Sequence, residues 1–296
     1  MKINGHEIAE QIYKNLRDRV GDLQKNGITP QLVVLLVGNN PGSIAYVNQK
    51  EISGAKVGAK VTIKRFVDTV TTEELVEEIE RLNGDQTVHG ILIQRPLPSQ
   101  IDVNKLERLT NPQKDIDGFH PDSPYTLPLP LAIIRILEEI YYFSSERRES
   151  RSPVSSRLRS NNKFLEWLNS QSIVLLGKGE TGGQPIIHYL QKLSINPIVI
   201  DSKTPNPESI LKQADILISA VGKRDIIQAK NLKKGVILLG VGMTQGEGRK
   251  LHGDYQAQDV EAVASYYTPT PHGVGPVNVA MLLDNLITAA EKQTQQ

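Results

Sequence analysis

The chain has 296 residues with a formal net charge of +1, 39% hydrophobic residues and 23% charged residues. Such a chain has room for two domains, and its composition is that of a soluble globular protein. The near-zero net charge gives no reason to expect a nucleic-acid or membrane partner, and the absence of cysteine excludes disulfides, thiol catalysis and cysteine-based metal sites. The amphipathic N-terminus has no apolar signal-peptide core, so we expect a cytoplasmic protein.

Predicted helices and strands alternate along the first half of the chain. Apolar residues at helical spacing predict a helix over residues 6–25, and the apolar run QLVVLLVG then predicts a buried strand. A second helix is predicted from an N-cap at Ser43 to Val57, followed by a strand over residues 61–67. The next helix, TTEELVEEIERLN, opens with the spacing of a capping box, and HGILIQ predicts another buried strand.

The middle of the chain has a different character. Residues 144–163 are rich in serine and arginine and lack apolar periodicity, which predicts an exposed linker or inserted loop. An RNA-binding arm is less favoured, because Glu146 and Glu149 dilute the charge and no aromatic residue lies among the basic ones.

From Ser172 the alternation resumes with SIVLLG, a glycine-rich loop, the helix QPIIHYLQKL and the strands PIVID, ADILISAVG and GVILLGVG. A long amphipathic helix, VNVAMLLDNLITAAEK, follows them. The chain as a whole therefore predicts an α/β fold with parallel strands covered by helices on both faces.

The loop 177–183, GKGETGG, matches G-x-G-x-x-G between a predicted strand and a predicted helix. Gly177, Gly179 and Gly183 allow a tight turn and a close approach of the backbone to a pyrophosphate at the helix N-terminus. Glycine-rich turns of this kind also occur for steric reasons alone, so the motif by itself is weak. Asp201 ends the next predicted strand, where an acid can accept hydrogen bonds from an adenosine ribose; the alternative is a solvated carboxylate that forms a turn.

Tyr46 and Lys50 are four residues apart on one predicted helix and therefore share a face. A lysine beside an aromatic ring, at the carboxyl ends of parallel strands, can have its pKa lowered by desolvation and serve in proton transfer. From the spacing alone, the favoured alternative is a surface pair with a solvated lysine. Gln94 ends the strand GILIQ, where its amide can orient a neighbouring amine or carbonyl, or merely cap the backbone.

Two acids, Asp115 and Asp117, lie in the segment KDIDGFHP. One such carboxylate can pair with a planar N–C–NH₂ edge through two parallel hydrogen bonds. The alternative is an Asx-turn before Gly118. The six histidines show no metal-ligand spacing, and we predict no metal.

Five segments, in this order along the chain, resemble the bifunctional methylenetetrahydrofolate dehydrogenase/methenyltetrahydrofolate cyclohydrolase family. They are VGNNPGSIAYVNQK, GILIQRPLP, NPQKDIDGFHP, GKGETGGQP and TPTPHGVGP. The resemblance implies an enzyme that oxidises 5,10-methylenetetrahydrofolate with a nicotinamide cofactor and hydrolyses the methenyl product to 10-formyltetrahydrofolate. The alternatives are a dehydrogenase with weak or lost cyclohydrolase activity, and a non-catalytic folate- or nucleotide-binding relative.

The resemblance also implies roles for single residues. Lys50 resembles the family's catalytic lysine, and Gln94 resembles the residue that hydrogen-bonds it. Asp117 resembles the carboxylate that binds the pterin edge, and Tyr46 the aromatic residue that packs on the folate. The predicted substrate-binding residues are Tyr46, Lys50, Gln94, Asp117, Pro271, Gly273 and Gly275. The predicted cofactor-binding residues are Gly177, Lys178, Gly179, Gly183, Asp201, Ser202 and Met243.

The family's organisation implies a folate-binding catalytic domain over residues 1–142, completed by the C-terminal helix 276–296. A Rossmann-type NAD(P)-binding domain is expected over residues 164–275, joined to the first by residues 143–163. Family members have their active site in the cleft between the two domains and are usually homodimers, so we expect a homodimer here.

The chain departs from the family pattern at several positions. Arg95 follows Gln94 where an apolar residue is usual, and Gly240 stands where an aspartate usually ends the strand. His272 replaces a glycine of the last segment. Further departures are Leu129, Ala132 and Asn278, a shortened stretch after HPDSP, and the serine- and arginine-rich insertion.

The choice of cofactor depends on the residues near a 2′-phosphate. Lys178 and Ser202 could hold this phosphate, whereas Asp201 would repel it and favour NAD. Because two candidate phosphate ligands remain, we expect NADP rather than NAD.

Overall fold

The structure is a computed structural model, and it describes residues 1–144, 162–246 and 251–294. The helices are α1 (Gly5–Lys25), α2 (Pro41–Val57), α3 (Thr72–Gly84), α4 (Val103–Leu109), α5 (Pro128–Ser144), α6 (Asn162–Asn169), α7 (Gly183–Lys192), α8 (Pro207–Leu211), α9 (Ala257–Val260) and α10 (Val274–Gln293). The strands are β1 (Gln31–Val37), β2 (Lys60–Phe66), β3 (Gly90–Ile93), β4 (Ile173–Leu176), β5 (Ile198–Ile200), β6 (Ile216–Ser219), β7 (Ile237–Gly240), β8 (Met243–Gln245), β9 (Leu251–Gly253) and β10 (Tyr266–Tyr267).

The chain divides into two compact units, each named here by its main sheet. The three-stranded unit comprises Gln11–Pro128 and Val279–Gln296, and the five-stranded unit comprises Met1–Glu10 and Leu129–Asn278. Residues 145–161 of the predicted linker lie outside the described residues.

The three-stranded unit is built on a parallel sheet with the order β2-β1-β3. The central strand β1 is buried along almost its whole length, as expected for a parallel strand with both faces covered. One face packs against α3 and α4 through Val33, Leu75 and Leu106, which belong to one buried apolar cluster. The carboxyl ends of β1 and β3 lie at the same edge of this sheet, and α2 starts from that edge.

The five-stranded unit has a parallel sheet with the order β10-β7-β6-β4-β5. Every residue of β4, β6 and β7 is buried. The N-terminal segment runs parallel beside β10, since the Ile3 amide donates to the Tyr267 carbonyl and the Tyr267 amide donates to the Met1 carbonyl. Strands β8 and β9 form a separate antiparallel pair. The predicted α/β class and the parallel direction of the main strands are confirmed.

One local prediction is wrong, and one helix was missed. The N-cap of α2 is Asn40 rather than Ser43: the Asn40 side chain accepts a hydrogen bond from the Ser43 amide, and Pro41 occupies the first helical turn, where its missing N–H costs nothing. Helix α5 was not expected from the run PLPLAIIRILEEIYYFS, because it is apolar on most of its circumference and begins with two prolines. The capping box of α3 is confirmed, with Thr71 as its N-cap.

In the described parts of the chain, no helix is both long enough and apolar enough to cross a membrane.

Candidate active site

Lys50 lies on the buried side of α2 in the three-stranded unit. Only 4% of its surface is exposed. Its Nζ lies 2.9 Å from Oε1 of Gln94, the residue that follows β3. The Gln94 amide is itself fixed, because its Nε2 donates to the Arg95 carbonyl at 2.7 Å and so leaves Oε1 facing the lysine. The alternative of a solvated lysine is therefore wrong. Gln94 hydrogen-bonds the Lys50 side chain as well as the backbone carbonyl of Arg95.

Tyr46 lies one turn before Lys50 on α2, as the spacing of four residues requires. The Lys50 Nζ lies 4.7 Å from the centroid of the Tyr46 ring, within the range of a cation–π contact. Tyr46 is partly exposed, and its part in folate binding stays a prediction.

Burial lowers the pKa of Lys50 from its ordinary 10.5 to about 8, and the carboxylate of Asp117 opposes this shift. The cause is desolvation, which disfavours the charged ammonium. A lysine with a pKa of about 8 exchanges its proton readily near neutral pH, as a general base or acid must.

The two acids of the segment KDIDG have different surroundings. The Asp115 carboxylate accepts hydrogen bonds from the backbone amides of Gly118 and His120, at 3.2 and 2.7 Å. Asp115 therefore forms the turn that was the alternative for this segment. Burial raises its pKa to about 6, although these amides act in the opposite direction. No described residue donates a hydrogen bond to the carboxylate of Asp117, which leaves both of its oxygens available to a ligand.

The electrostatic state of Asp117 is set by burial and by two cations. Burial raises the pKa of Asp117 above its ordinary value, and Lys50 and Arg95 oppose that shift. Gly118, directly after it, has φ of +79°, and a Cβ there would lie 2.9 Å from the Tyr125 carbonyl oxygen. The loop that presents Asp117 thus requires glycine at the next position.

Sequence reasoning missed two residues that hold this loop. The buried Lys114 Nζ donates to the carbonyls of Leu82, Asn83 and Asp85, at 2.7–2.9 Å, and so caps the C-terminal end of α3. A lysine directly before Asp115 was the available signal, but its partners are some 30 residues away in sequence.

The second such residue is Asn285 of α10, whose Nδ2 donates to the carbonyls of Ile116 and Thr126 at 2.9 Å. The C-terminal helix therefore holds the loop that carries Asp117. In the sequence Asn285 stands beside Asp284 in an amphipathic helix, and no local feature marks it for this contact.

Arg95 lies beside this site as a charged side chain that is only 17% exposed. Its guanidinium forms a salt bridge with Glu107 of α4 and lies 4.4 Å from the centroid of the Phe119 ring. Phe119 is two residues after Asp117, so Arg95 packs on the loop that presents this carboxylate.

The glycine-rich loop joins β4 to α7 in the five-stranded unit. Gly177 has φ of +94°, and a Cβ there would lie 2.7 Å from the Ala220 carbonyl oxygen. A Cβ at Gly183 would lie 2.0 Å from the Gly177 carbonyl oxygen. These two glycines are required by the fold itself. Gly179 has open space where a Cβ would stand, so packing does not require glycine there. The free approach at Gly179, just before a helix N-terminus, fits a pyrophosphate.

Asp201 follows β5 and makes two kinds of contact. Its carboxylate accepts from the Lys203 amide at 2.9 Å and from the Thr204 hydroxyl at 3.1 Å, which forms a turn. It also forms a 2.8 Å ion pair with Lys178 of the glycine-rich loop. The Lys178 contact is the main reason that the pKa of Asp201 is lowered to about 2. Ser202 is exposed beside this pair.

Met243 opens β8 and is 49% exposed. A Cβ at Gly222 would lie 3.2 Å from its carbonyl oxygen, so β8 lies against the loop that follows β6. No described contact joins Met243 to Lys178 or Asp201. Its part in cofactor binding stays a prediction.

The loop 269–275 contains the predicted folate-lining residues of the five-stranded unit. It includes a cis peptide before Pro271, and His272 adopts φ of +79°. Glycine adopts this conformation without strain, which explains why a glycine would fit there and why histidine is a real departure. A Cβ at Gly273 would lie 2.5 Å from the Pro269 carbonyl oxygen, whereas Gly275 has open space.

Gly240, which stands where the family usually has an aspartate, packs against Tyr255. A Cβ at Gly240 would lie 3.0 Å from the Tyr255 ring. The buried Tyr255 hydroxyl lies 2.5 Å from the carbonyl oxygen of Thr268, to which it donates, and the Gly240 amide donates to the Thr268 hydroxyl. A tyrosine thus fills the space at the end of β7 and fixes the first residue of the segment that leads into the loop 269–275.

The structure brings Tyr46, Lys50, Gln94 and Asp117 together in the three-stranded unit. The glycine-rich loop, Lys178 and Asp201 lie together at the carboxyl ends of β4 and β5 in the five-stranded unit. Parallel α/β folds bind nucleotides at such strand ends. Fold and site together define a two-part α/β protein with a dinucleotide-type loop in one part and a buried lysine–glutamine pair in the other.

Comparison with known proteins identifies the family. Residues 3–117 match the model of the tetrahydrofolate dehydrogenase/cyclohydrolase catalytic domain, and residues 161–294 match the model of the NAD(P)-binding domain of the same family. The chain therefore belongs to the tetrahydrofolate dehydrogenase/cyclohydrolase family, and the predicted resemblance is confirmed.

Individual relatives cover the chain almost completely. The bifunctional protein FolD of Staphylococcus carnosus is 35% identical, covering 97% of this chain and 95% of the relative. The crystal structure of the bifunctional dehydrogenase/cyclohydrolase of Campylobacter jejuni has a TM-score of 0.85 and 29% identity, covering 99% of each chain. The Trypanosoma brucei dehydrogenase-cyclohydrolase, solved with NADP and an inhibitor, has a TM-score of 0.80 and 28% identity, covering 100% of this chain and 99% of its own.

Proposed function

We propose that this chain oxidises 5,10-methylenetetrahydrofolate to 5,10-methenyltetrahydrofolate with NAD(P) and hydrolyses the product to 10-formyltetrahydrofolate. The observation that carries the proposal is the buried Lys50, held by Gln94 at 2.9 Å within a chain that matches both family models. A dehydrogenase without the hydrolytic step would have no chemical use for a lysine whose pKa is lowered toward neutral pH. A non-catalytic relative would need neither the lysine nor the glutamine that orients it.

The residues of the glycine-rich loop fit an NAD(P) pyrophosphate, since Gly179 leaves the backbone open before α7. When bound, NAD(P) supplies the acceptor for the hydride that leaves the methylene carbon. The part of the protein in this step is to bind and orient, and we assign Tyr46 to the folate ring and Asp117 to the pterin edge. Two parallel hydrogen bonds from an N–C–NH₂ edge would satisfy both free oxygens of the Asp117 carboxylate.

The hydrolytic step needs a proton acceptor. The methenyl carbon of the substrate is electrophilic, and a water molecule attacks it as its O–H proton passes to neutral Lys50. Lys50 becomes an ammonium, and Gln94 Oε1 accepts a hydrogen bond from it in either charge state. The bond from the attacked carbon to N5 then breaks: N5 takes the proton from Lys50, the remaining O–H proton passes to solvent, and the carbon is left as the formyl group on N10. The desolvation that lowers the pKa of Lys50 provides the neutral amine in sufficient amount near pH 8.

The test of this function compares Lys50→Met with the wild type in two assays, reduction of NAD(P) and loss of methenyl absorbance. We expect hydrolysis to fall by at least about a hundredfold, because general-base catalysis contributes that much. Cofactor reduction falls less, since hydride transfer needs no base. Lys56→Met, which removes an exposed lysine from the same helix, is the matched control and keeps both activities. Wild-type hydrolysis in Lys50→Met contradicts the role of Lys50, and no reduction by the wild type with either cofactor contradicts the oxidation.

For the cofactor, we infer a preference for NADP over NAD, supported by Lys178 and the exposed Ser202 beside it. The ion pair of Lys178 with Asp201 opposes this preference, because the carboxylate already neutralises the lysine and would repel a 2′-phosphate. Asp201→Asn removes that charge and keeps an oxygen for the turn with Lys203 and Thr204.

In Asp201→Asn we expect KM for NADP to fall about tenfold and KM for NAD to stay unchanged or rise, as removal of one nearby like charge implies. Initial rates at varied cofactor concentration measure both constants. Glu208→Gln, which removes an exposed acid from α8, controls for net charge. An equal change in both KM values would show that Asp201 does not discriminate between the cofactors.

We also propose a cytoplasmic homodimer. The support is the family resemblance for the dimer and the absence of cysteine for the location.

A further inference from the structure

The strand order of the five-stranded unit reverses between β4 and β6. The next strand along the chain after β4, which is β5, lies on one side of it, whereas β6 lies on the other side. In parallel sheets a ligand binds in the crevice that such a reversal leaves outside the carboxyl ends of the strands. Two loops border this crevice. One is the glycine-rich loop 177–183 after β4, and the other is the segment 219–223 at the end of β6, named here the β6 loop.

The β6 loop packs directly on the glycine-rich loop. The Ala220 amide donates to the Leu176 carbonyl at 2.8 Å, and a Cβ at Gly177 would lie 2.7 Å from the Ala220 carbonyl oxygen. Asp201, on the β5 side of the crevice, is the predicted partner of the adenosine ribose, and Gly179 is the position that fits the pyrophosphate. The nicotinamide riboside half of a cofactor that crosses the crevice would therefore lie on the side of the β6 loop.

Asp254, directly after β9, fixes the β6 loop. Its carboxylate is fully buried and accepts hydrogen bonds from the Val221 amide at 3.0 Å and the Lys223 amide at 2.9 Å. It also accepts a hydrogen bond from the Ser219 hydroxyl at 2.5 Å. Gly222, between the two amides, has φ of +70°, and the amides on either side of it converge on one anion, as they do in backbone sites for bound anions. One carboxylate thus sets the course of the whole loop.

Two further contacts belong to this arrangement. A Cβ at Gly242 would lie 2.2 Å from Oδ2 of Asp254, so glycine is required there for the carboxylate to reach the loop. The Ile227 amide donates to the Asp254 carbonyl at 3.0 Å, which holds the chain beyond the loop as well. Because the Asp254 carboxylate is fully buried, any effect that it has on a cofactor must pass through the β6 loop.

We propose that Asp254 is a positioning residue for the cofactor, which holds the β6 loop in the conformation that receives the nicotinamide riboside half of NAD(P). The proposal deepens the proposed function and rests on its cofactor-binding part alone. A charged acceptor forms stronger hydrogen bonds than a neutral one, so a carboxylate holds the two amides and the hydroxyl more firmly than an amide side chain could. A loop that is already ordered binds more tightly, because the cofactor does not have to order it.

The experiment measures Kd by isothermal titration calorimetry for NADP and NAD, and for their adenosine halves, adenosine 2′,5′-bisphosphate and AMP. In Asp254→Asn, an NH₂ group replaces one oxygen and leaves part of the loop without its acceptor. We expect Kd for the whole cofactor to rise about tenfold, as the loss of one hydrogen bond to a charged group implies. We expect Kd for the matching adenosine half to change less than about twofold, because that half lies on the β5 side.

Asp215→Asn is the matched control. Asp215 lies directly before β6, at the opposite edge of the same sheet, where its carboxylate accepts from the Ser172 amide at 2.9 Å and pairs with Lys233. This variant keeps both Kd values. Ser219→Ala removes only the hydroxyl donor and should raise Kd for the whole cofactor about two- to fivefold. It keeps the proposal testable if Asp254→Asn does not fold.

The outcomes separate positioning from a purely structural role. If Asp254→Asn lowers the free energy of unfolding in urea but the folded protein binds the cofactor with the wild-type Kd, the proposal is wrong. An equal loss of affinity for the whole cofactor and for its adenosine half also overturns it. A wild type that binds neither NADP nor NAD overturns the proposed oxidation and this proposal together, whereas one that binds a cofactor without turnover contradicts the proposed function alone.

Discussion

At the scale of single residues, the site depends on one buried lysine whose charge is adjustable. Lys50 has an uncharged partner, Gln94, at 2.9 Å, and an anion, Asp117, that raises its pKa only in part. A carboxylate in place of Gln94 would keep the lysine charged. The uncharged amide orients the amine and leaves desolvation as the dominant influence.

This arrangement predicts how hydrolysis depends on pH. The neutral amine is the active form, and burial lowers the pKa of Lys50 to about 8, so the rate rises as the pH passes through about 8 and then levels off. The rate of methenyl loss, corrected for the uncatalysed reaction and measured from pH 6.5 to 10.5, tests this. Gln94→Glu places an anion beside the ammonium and moves the midpoint up by about one to two units. A profile that is flat across this range would mean that Lys50 is not the titrating base.

The spacing of Tyr46 and Lys50 could predict a shared helix face but not burial. Burial of Lys50 arises from the end of β3, which lies more than 40 residues later in the chain. The same holds for Asp117: the pattern KDIDG indicated two acids in a loop, but only the fold shows that Asp115 is used by the turn and Asp117 is left free. Ser43 was predicted as the N-cap of α2 from its residue type alone. Proline prefers the first helical turn, so Pro41 places the start of the helix earlier and makes Asn40 the N-cap.

At the scale of elements, the loop that carries Asp117 is held by the end of a helix. The last carbonyls of α3 have no partner within the helix, and the buried Lys114 donates to two of them and to the Asp85 carbonyl. Burial lowers the pKa of Lys114, because removing the ammonium from water costs free energy. The three hydrogen bonds to carbonyls offset this desolvation cost.

Lys114→Met should therefore lower the free energy of unfolding by about 1–3 kcal/mol, because it removes a buried donor from three carbonyls, and in the described chain the Asn83 carbonyl has no second donor to replace it. Urea unfolding followed by circular dichroism measures the change. Lys105→Met, which breaks only an exposed ion pair with Glu73, is the control and costs less than about 1 kcal/mol. Equal stability of the two variants would show that the cap contributes little.

Among the elements themselves, the buried strands and the amphipathic helices were predictable. Their apolar runs and capping residues are local features of the sequence, as β1 and the Thr71 cap illustrate. Helix α5 was missed, because its two prolines and long apolar run obscured the helical spacing of Arg135, Glu138 and Glu139, which share one face and are all buried.

At the scale of the whole molecule, the order of strands and helices led to the α/β class, and the five ordered segments led to the family. The division of the chain into units could not be read from local patterns. Both units take residues from two distant stretches, since α1 begins in the five-stranded unit and continues in the three-stranded unit, and α10 does the same. Periodicity describes an element, but it carries no information about which sheet that element will cover.

The position of α10 has a consequence for synthesis on the ribosome. Strands β1–β3 and the loop with Asp117 are synthesised early. However, Gly90 of β3 packs so closely against Leu286 of α10 that a Cβ would not fit, and the Ile116 carbonyl accepts its hydrogen bond from Asn285 of the same helix. The β5–β7 region is translated in between. The proposed proton-transfer site therefore matures only when the last helix emerges, so a nascent chain arrested before α10 carries every predicted catalytic residue in an unfinished core.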